Sequence, residues 1–221
     1  MPLADRIDHT LLKPEARPEH VEDLVGEAVR YGFHSVCVHG RYVGLASKLL
    51  EGSKPLVCTV IGFPSGALVE GAKAAEAELA LSAGARELDM VLWVGGFLAG
   101  EVRAVEEDIR AVADVVRGGD GLLKVILETG HMDPDQIAAA SKLSEAAGAH
   151  FVKTSTGFGP RGASVEDIRI MRASVAPEVG VKASGGIRNL DSALALIEAG
   201  ADRLGTSGSV SLIQAAEASA K

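Results

Sequence analysis

One punctuation mark recurs along this chain, and it limits the folds open to it. Ala83-Gly84-Ala85, Ala147-Gly148-Ala149 and Ala199-Gly200-Ala201 each close an alanine-rich, helix-patterned stretch, and an apolar run of strand length follows each. Tyr31-Gly32-Phe33 plays the same part earlier. A glycine just past a helix suits the left-handed backbone with which many helices end. The repeating unit is therefore helix, turn, strand. Strand patterns fall near 6–12, 35–39, 56–63, 87–94, 122–129, 150–155, 180–184 and 202–206. Helical patterns fall near 18–31, 41–50, 69–82, 99–117, 134–147, 165–175, 190–199 and 209–219. Pro18 and Pro134 suit first helical turns, and Ser164 with Asp167 three residues on resembles a capping box. Eight strands alternating with eight helices, without a linker, predict an α/β fold: one closed parallel (β/α)8 TIM barrel, a single domain over 1–221. An open doubly wound sheet competes, but no Gly-x-Gly-x-x-Gly or P-loop follows the first strand. That strand is the least regular, because Asp8 and Thr10 interrupt it.

Composition narrows the class. The 221 residues are 47% hydrophobic, enough for a substantial core. The net charge of -8, with no Lys/Arg block, argues against a nucleic-acid partner. No apolar run is long enough to cross a bilayer, and the first residues lack the apolar segment of a signal peptide. A cytoplasmic protein with no membrane partner is expected. Cys37 and Cys58 lie in apolar runs and read as reduced core thiols.

The chemistry is carried by polar residues inside strands. Lys153 sits in Phe151-Val152-Lys153-Thr154-Ser155-Thr156-Gly157, and Lys182 in Val181-Lys182-Ala183-Ser184-Gly185-Gly186. Burying an ammonium is costly unless it is paired or gives up its proton. Neighbouring strands run about 4.8 Å apart, so two lysines at one level disfavour double protonation. A neutral amine there is a nucleophile toward carbonyls, which points to Schiff-base chemistry. The bland alternative is a core ion pair with Asp89 or Glu128. Asp89 interrupts Glu87-Leu88-Asp89-Met90-Val91 and is a candidate proton shuttle or plain counter-ion. Lys124, early in its strand, reads as structural. Ser184-Gly185-Gly186-Ile187-Arg188 and Gly205-Thr206-Ser207-Gly208-Ser209 follow the seventh and eighth strands, where barrels commonly hold a phosphate. His9, His34, His39, His131 and His150 show no metal-ligand spacing, and His20 reads as exposed.

These motifs, with Ile7-Asp8-His9-Thr10-Leu11-Leu12, Val36-Cys37-Val38 and Val60-Ile61-Gly62-Phe63-Pro64-Ser65-Gly66, resemble those of the deoxyribose-phosphate aldolases over nearly the whole length. The resemblance implies a class I aldolase that reversibly cleaves 2-deoxy-D-ribose 5-phosphate to D-glyceraldehyde 3-phosphate and acetaldehyde, without metal or organic cofactor. It implies that Lys153 forms the Schiff base, that Lys182 lowers its pKa and that Asp89 belongs to the proton relay. It further implies substrate contacts from Asp8, Thr10, Cys37 and Thr156, and phosphate contacts from Gly157, Gly185, Gly186, Gly205 and Ser207. A homo-oligomer, dimer or tetramer, is a family-level expectation. Some family members place a lysine directly after Thr-Ser-Thr-Gly; here that position is Phe158. The departure implies that this loop brings no charge to the phosphate and that preference for phosphorylated substrate is loosened. Two rival readings stand beside the resemblance: another Schiff-base lyase acting on a different sugar phosphate, and a non-catalytic sugar-phosphate-binding barrel.

Overall fold

The alternation closes on itself. The computed structural model describes residues 2–219, so residues 1, 220 and 221 of the expected domain lie outside the described residues. Strands β1 (Ile7–Leu11), β2 (Ser35–Val38), β3 (Leu56–Ile61), β4 (Glu87–Val91), β5 (Leu122–Ile126), β6 (Phe151–Lys153), β7 (Gly180–Ser184) and β8 (Arg203–Thr206) form a closed barrel in sequence order. Each pair is parallel, and β8 closes on β1 through Asp8 opposite Gly205. Around them run α1 (Pro18–Tyr31), α2 (Val43–Leu49), α3 (Ala72–Ser82), α4 (Val94–Leu98), α5 (Val102–Gly118), α6 (Pro134–Ala146), α7 (Val165–Ser174), α8 (Leu190–Glu198) and α9 (Ser209–Ser219).

Local chemistry explains the boundaries. Pro18 and Pro134 occupy first helical turns, and Asp133 and Gln136 cap each other reciprocally ahead of α6. Ser164 Oγ accepts from the Asp167 N–H, but the Asp167 carboxylate turns to Arg161 and Thr129, so the expected box is only half formed. Gly32, Gly84, Gly148 and Gly200 all take positive φ, as the punctuation required. Two helical expectations needed correction. The segment expected at 99–117 is preceded by a separate short helix, α4, and the one expected at 41–50 opens with a 3-10 turn over Gly40–Tyr42. His20 is half-buried rather than exposed, its Nδ1 accepting from the Arg17 N–H.

Strand alternation sorts side chains into two interiors. Leu88 and Met90 of β4, and Val181 and Ala183 of β7, pack outward into the main core under the helices. On α5, Val105, Ile109, Val112 and Val116 recur at helical spacing and bury against the same core. Asp89 and Lys182 point the other way, into the lumen, where they meet each other. The lumen also holds a small separate cluster of Leu12, Cys37, Cys58 and Val60, with Phe63 packed against it.

Candidate active site

Register brings the strand-interior charges together. Lys153 stands opposite Lys182, which stands opposite Arg203, so three cations cross β6, β7 and β8 at one level. Asp89 stands opposite Lys124 across β4 and β5. All of these side chains are buried. Asp89 is the hub. Its Oδ2 accepts from Lys153 Nζ at 2.7 Å and from Lys182 Nζ at 2.7 Å. Its Oδ1 accepts from Lys124 Nζ at 2.7 Å and from Cys58 Sγ at 3.3 Å. The core-ion-pair partner is therefore Asp89, and Glu128 does not fill that role. Glu128 instead accepts from the N–H and Oγ1 of Thr156.

Beneath the hub lies a supporting ion network. Lys124 Nζ is 2.7 Å from Glu87 Oε2, and Lys182 Nζ is 2.5 Å from Asp8 Oδ2. Arg203 spans Asp8 and Glu87, and Ser35 Oγ donates to Asp8 Oδ1 at 2.7 Å. Burial alone would raise the carboxyl pKa values and lower the lysine ones. The pairing overrides it. Burial pushes the Asp89 carboxyl up, yet Lys124, Lys153 and Lys182 hold it well below the usual carboxylate range. Glu87, likewise opposed by burial, is drawn down to about 2, chiefly by Lys124. Against burial, Asp8 and Asp89 hold Lys182 above the ordinary lysine range. Lys124 is raised well above that range against the same burial, by Asp89 first. The charged state of Lys182 and Lys124 is thus favoured. Lys124, Lys153, Lys182 and Arg203 face Asp8, Glu87 and Asp89, leaving one positive charge in excess when every group is ionised.

Above this network a cavity of about 330 Å³ opens at the C-terminal ends of the strands. Of the three lumen lysines, Lys153 alone borders it. Thr10, Thr156, Gly157, Gly205 and Ser207 line it as well, as do Gly185 and Gly186. The last two have φ of 82° and 76°, and Gly157 has 90°, values at which a side chain would be strained. The backbone N–H groups of Gly157, Gly185, Gly186 and Ser207 have no protein acceptor among the described residues. All four residues line one cavity close to the start of α9, an arrangement suited to an anion.

Asp8 and Cys37, expected beside the substrate, do not line the cavity. Asp8 sits two residues before Thr10 on the same face, fully buried among cations. Cys37 lies opposite Cys58 across β2 and β3, also fully buried. Among the described residues, Cys37, Cys58 and Asp89 form the sole cluster with metal-ligand proximity. Both Asp89 oxygens already accept from ammonium groups, which would repel a cation. His9 is held between Ser209 Oγ and Glu27 Oε2, tying β1 to α9 and α1 outside the cavity.

A family model described as DeoC/LacD family aldolase matches residues 4–216. The chain belongs to that family. Among its relatives, a deoxyribose-phosphate aldolase of Brevibacillus brevis is 52% identical over 211 residues, covering 96% of this chain and 95% of that one. One of Streptococcus mutans is 50% identical over 214 residues, with 97% and 96% covered. The structure of a tetrameric deoxyribose phosphate aldolase from Aeropyrum pernix superposes with a TM-score of 0.91 at 37% identity, covering 97% of this chain and 91% of that one.

Within this aldolase, sequence reasoning passed over two groups and gave a third, Glu128, the wrong partner. Arg203 carried the same signal as the lysines, a cation inside a strand, but stands close to a glycine turn and reads as a strand entrance. Glu87 stands at the first position of β4 and reads the same way. Glu128 takes a left-handed φ of 57°, which aims its carboxylate at the Thr156 loop and which its residue type does not announce.

Proposed function

We propose that this chain is a class I aldolase that cleaves 2-deoxy-D-ribose 5-phosphate reversibly into D-glyceraldehyde 3-phosphate and acetaldehyde. The observation that carries the reading is Lys153: the one lumen lysine that reaches the cavity, opposite Lys182 and in the same lining as N–H donors that have no protein acceptor among the described residues. Lys124 and Lys182 each have a second carboxylate partner, and Lys153 pairs with Asp89 alone. The reaction uses Nζ of Lys153 as the nucleophile.

The steps follow from that amine. Nζ attacks C1 of the open-chain aldehyde, and loss of water gives an iminium. The iminium draws the C2–C3 bonding pair as the C3 hydroxyl loses its proton, which releases D-glyceraldehyde 3-phosphate and leaves an enamine. Protonation at C2 and hydrolysis then free acetaldehyde and Lys153. Asp89 and Lys182 do not border the cavity, so we assign proton movement to a relay from them through water. The Thr156 and Gly157 loop, held by Glu128, and the glycine loops after β7 and β8 receive the phosphate. Thr10 contacts the sugar from β1. Asp8 holds Lys182 charged, and Cys37 packs beside the hub. The mechanism calls for no metal or organic cofactor.

No helix among the described residues is long and apolar enough to cross a membrane. With the acidic net charge, this supports a cytoplasmic enzyme with neither nucleic-acid nor membrane partner, and the tetrameric relative supports a homo-oligomer. We read the barrel as one catalytic domain. Lys153→Ala should lower the rate of glyceraldehyde 3-phosphate release by about 10⁴-fold or more while the chain stays folded. A folded variant that kept its rate would refute the reading.

A further inference from the structure

The cavity mouth has a charge bias at odds with the rest of the chain. The protein carries a net charge of -8, yet among the described residues no carboxylate lines this cavity. Its ionisable lining is Lys13, Lys153 and Arg188. Lys153 is committed to Asp89. Lys13 and Arg188 are exposed, and neither makes an ion pair or side-chain hydrogen bond among the described residues. Arg188 follows the β7 glycine loop. Lys13 comes from the β1 side, two residues past the end of that strand and next to β8 in the barrel order. The third part of the rim is Phe158, which stacks edge-on against Phe63 at 5.4 Å and brings no charge.

Lys13 is not on a loose loop. Leu12 is buried in the lumen cluster, and its carbonyl accepts from His39 Nε2 at 3.0 Å. The Lys13 carbonyl accepts from the Ala16 N–H at 3.1 Å, and the Ala16 carbonyl accepts from Tyr42 Oη at 2.6 Å. Pro14 favours extended backbone at Lys13 itself. The chain is thus fixed on both sides of a lysine that pairs with no acid among the described residues and lines the same cavity as four unused N–H donors.

We propose that Lys13 is the charged contact that selects a phosphorylated substrate over its unphosphorylated counterpart. The inference rests on reading this cavity as the sugar-phosphate site. Lys13 closes from the β1 side a phosphate cradle whose other walls are the glycine loops and Arg188. It compensates for Phe158, so preference for the phosphate ester does not depend on charge from the Thr156 loop.

The test compares kcat/KM on 2-deoxyribose 5-phosphate and on 2-deoxyribose for the full-length enzyme, Lys13→Gln, Lys13→Arg and Lys48→Gln, the last an exposed lysine on α2. Lys13→Gln should lower the ratio by about fivefold, chiefly through a higher KM for the ester, because a solvent-facing ion pair is worth only a modest factor. Lys13→Arg should restore the ratio, and Lys48→Gln should leave it at the wild-type value. Inorganic phosphate, as a competitive inhibitor, should bind about fivefold more weakly to Lys13→Gln. An unchanged ratio in Lys13→Gln, in an enzyme that cleaves the ester, overturns the role of Lys13 alone. A wild-type enzyme that cleaves neither sugar overturns the substrate reading and the role of Lys13 with it.

Discussion

The barrel has two interiors, and they obey opposite rules. Between strands and helices the shell is mainly apolar: Leu88, Met90, Ile109 and Val181 are fully buried with no charge to satisfy, and the buried Lys73 of α3 pairs with Asp108 of α5. Inside the strands, the lumen buries Asp8, Glu87, Asp89, Lys124, Lys153, Lys182 and Arg203. The shell gains stability from removing hydrocarbon from water. The lumen must compensate the desolvation of seven charges by mutual pairing, which is a poor way to gain stability. The contrast teaches where function resides. Charges so costly to bury are kept where they hold one amine ready for chemistry, while the fold is carried by the layer outside them.

Paired substitutions can break that contrast. Asp89→Asn removes the group that neutralises three ammoniums. It should cost about 3–5 kcal/mol of stability and lower kcat by about 10²–10⁴-fold. Ile109→Ala, in the shell, should cost about 2–4 kcal/mol and leave kcat per folded molecule within about twofold. Denaturant unfolding alongside kinetics on folded protein reads both. If Ile109→Ala cost as much kcat as Asp89→Asn, the division between the two interiors would fail.

A smaller effect sharpens it. Glu87 is drawn from an ordinary 4.5 to about 2 in the folded state, and Asp8 and Asp89 are lowered as well. Between those values the unfolded chain binds more protons than the folded one, so stability rises with pH across that window. The lumen's contribution is fully present above about 4.5 and is lost as pH falls toward 2. Tm should therefore drop steeply over this window, and Glu87→Gln should drop less steeply. Parallel Tm curves for the two proteins would show that the lumen network does not govern acid stability.

Much of this was legible before any coordinates. The glycine punctuation and the alternation gave all eight strands, and cations in apolar runs marked Lys153 and Lys182. Three things were hidden for physical reasons. Asp8 and Cys37 were placed beside the substrate by the family resemblance alone; alternation gives a residue's face but not its height in a tilted barrel, and both are fully buried outside the cavity lining. Helix α4, Val94-Gly95-Gly96-Phe97-Leu98, has two glycines in five residues and little helix propensity. It forms where the Trp93 ring packs so tightly on Gly96 that an added Cβ would lie 2.3 Å away. The part of Lys124 depended on its partners across β4 and β1, which a single strand does not reveal.

Covalent trapping tests the central claim most directly. The intact enzyme would be reduced with borohydride in the presence of acetaldehyde and its peptides mapped by mass. The account predicts one ethyl group, on Lys153, and none on Lys124 or Lys182. An adduct at either of those buried lysines, or none at residue 153, would contradict it.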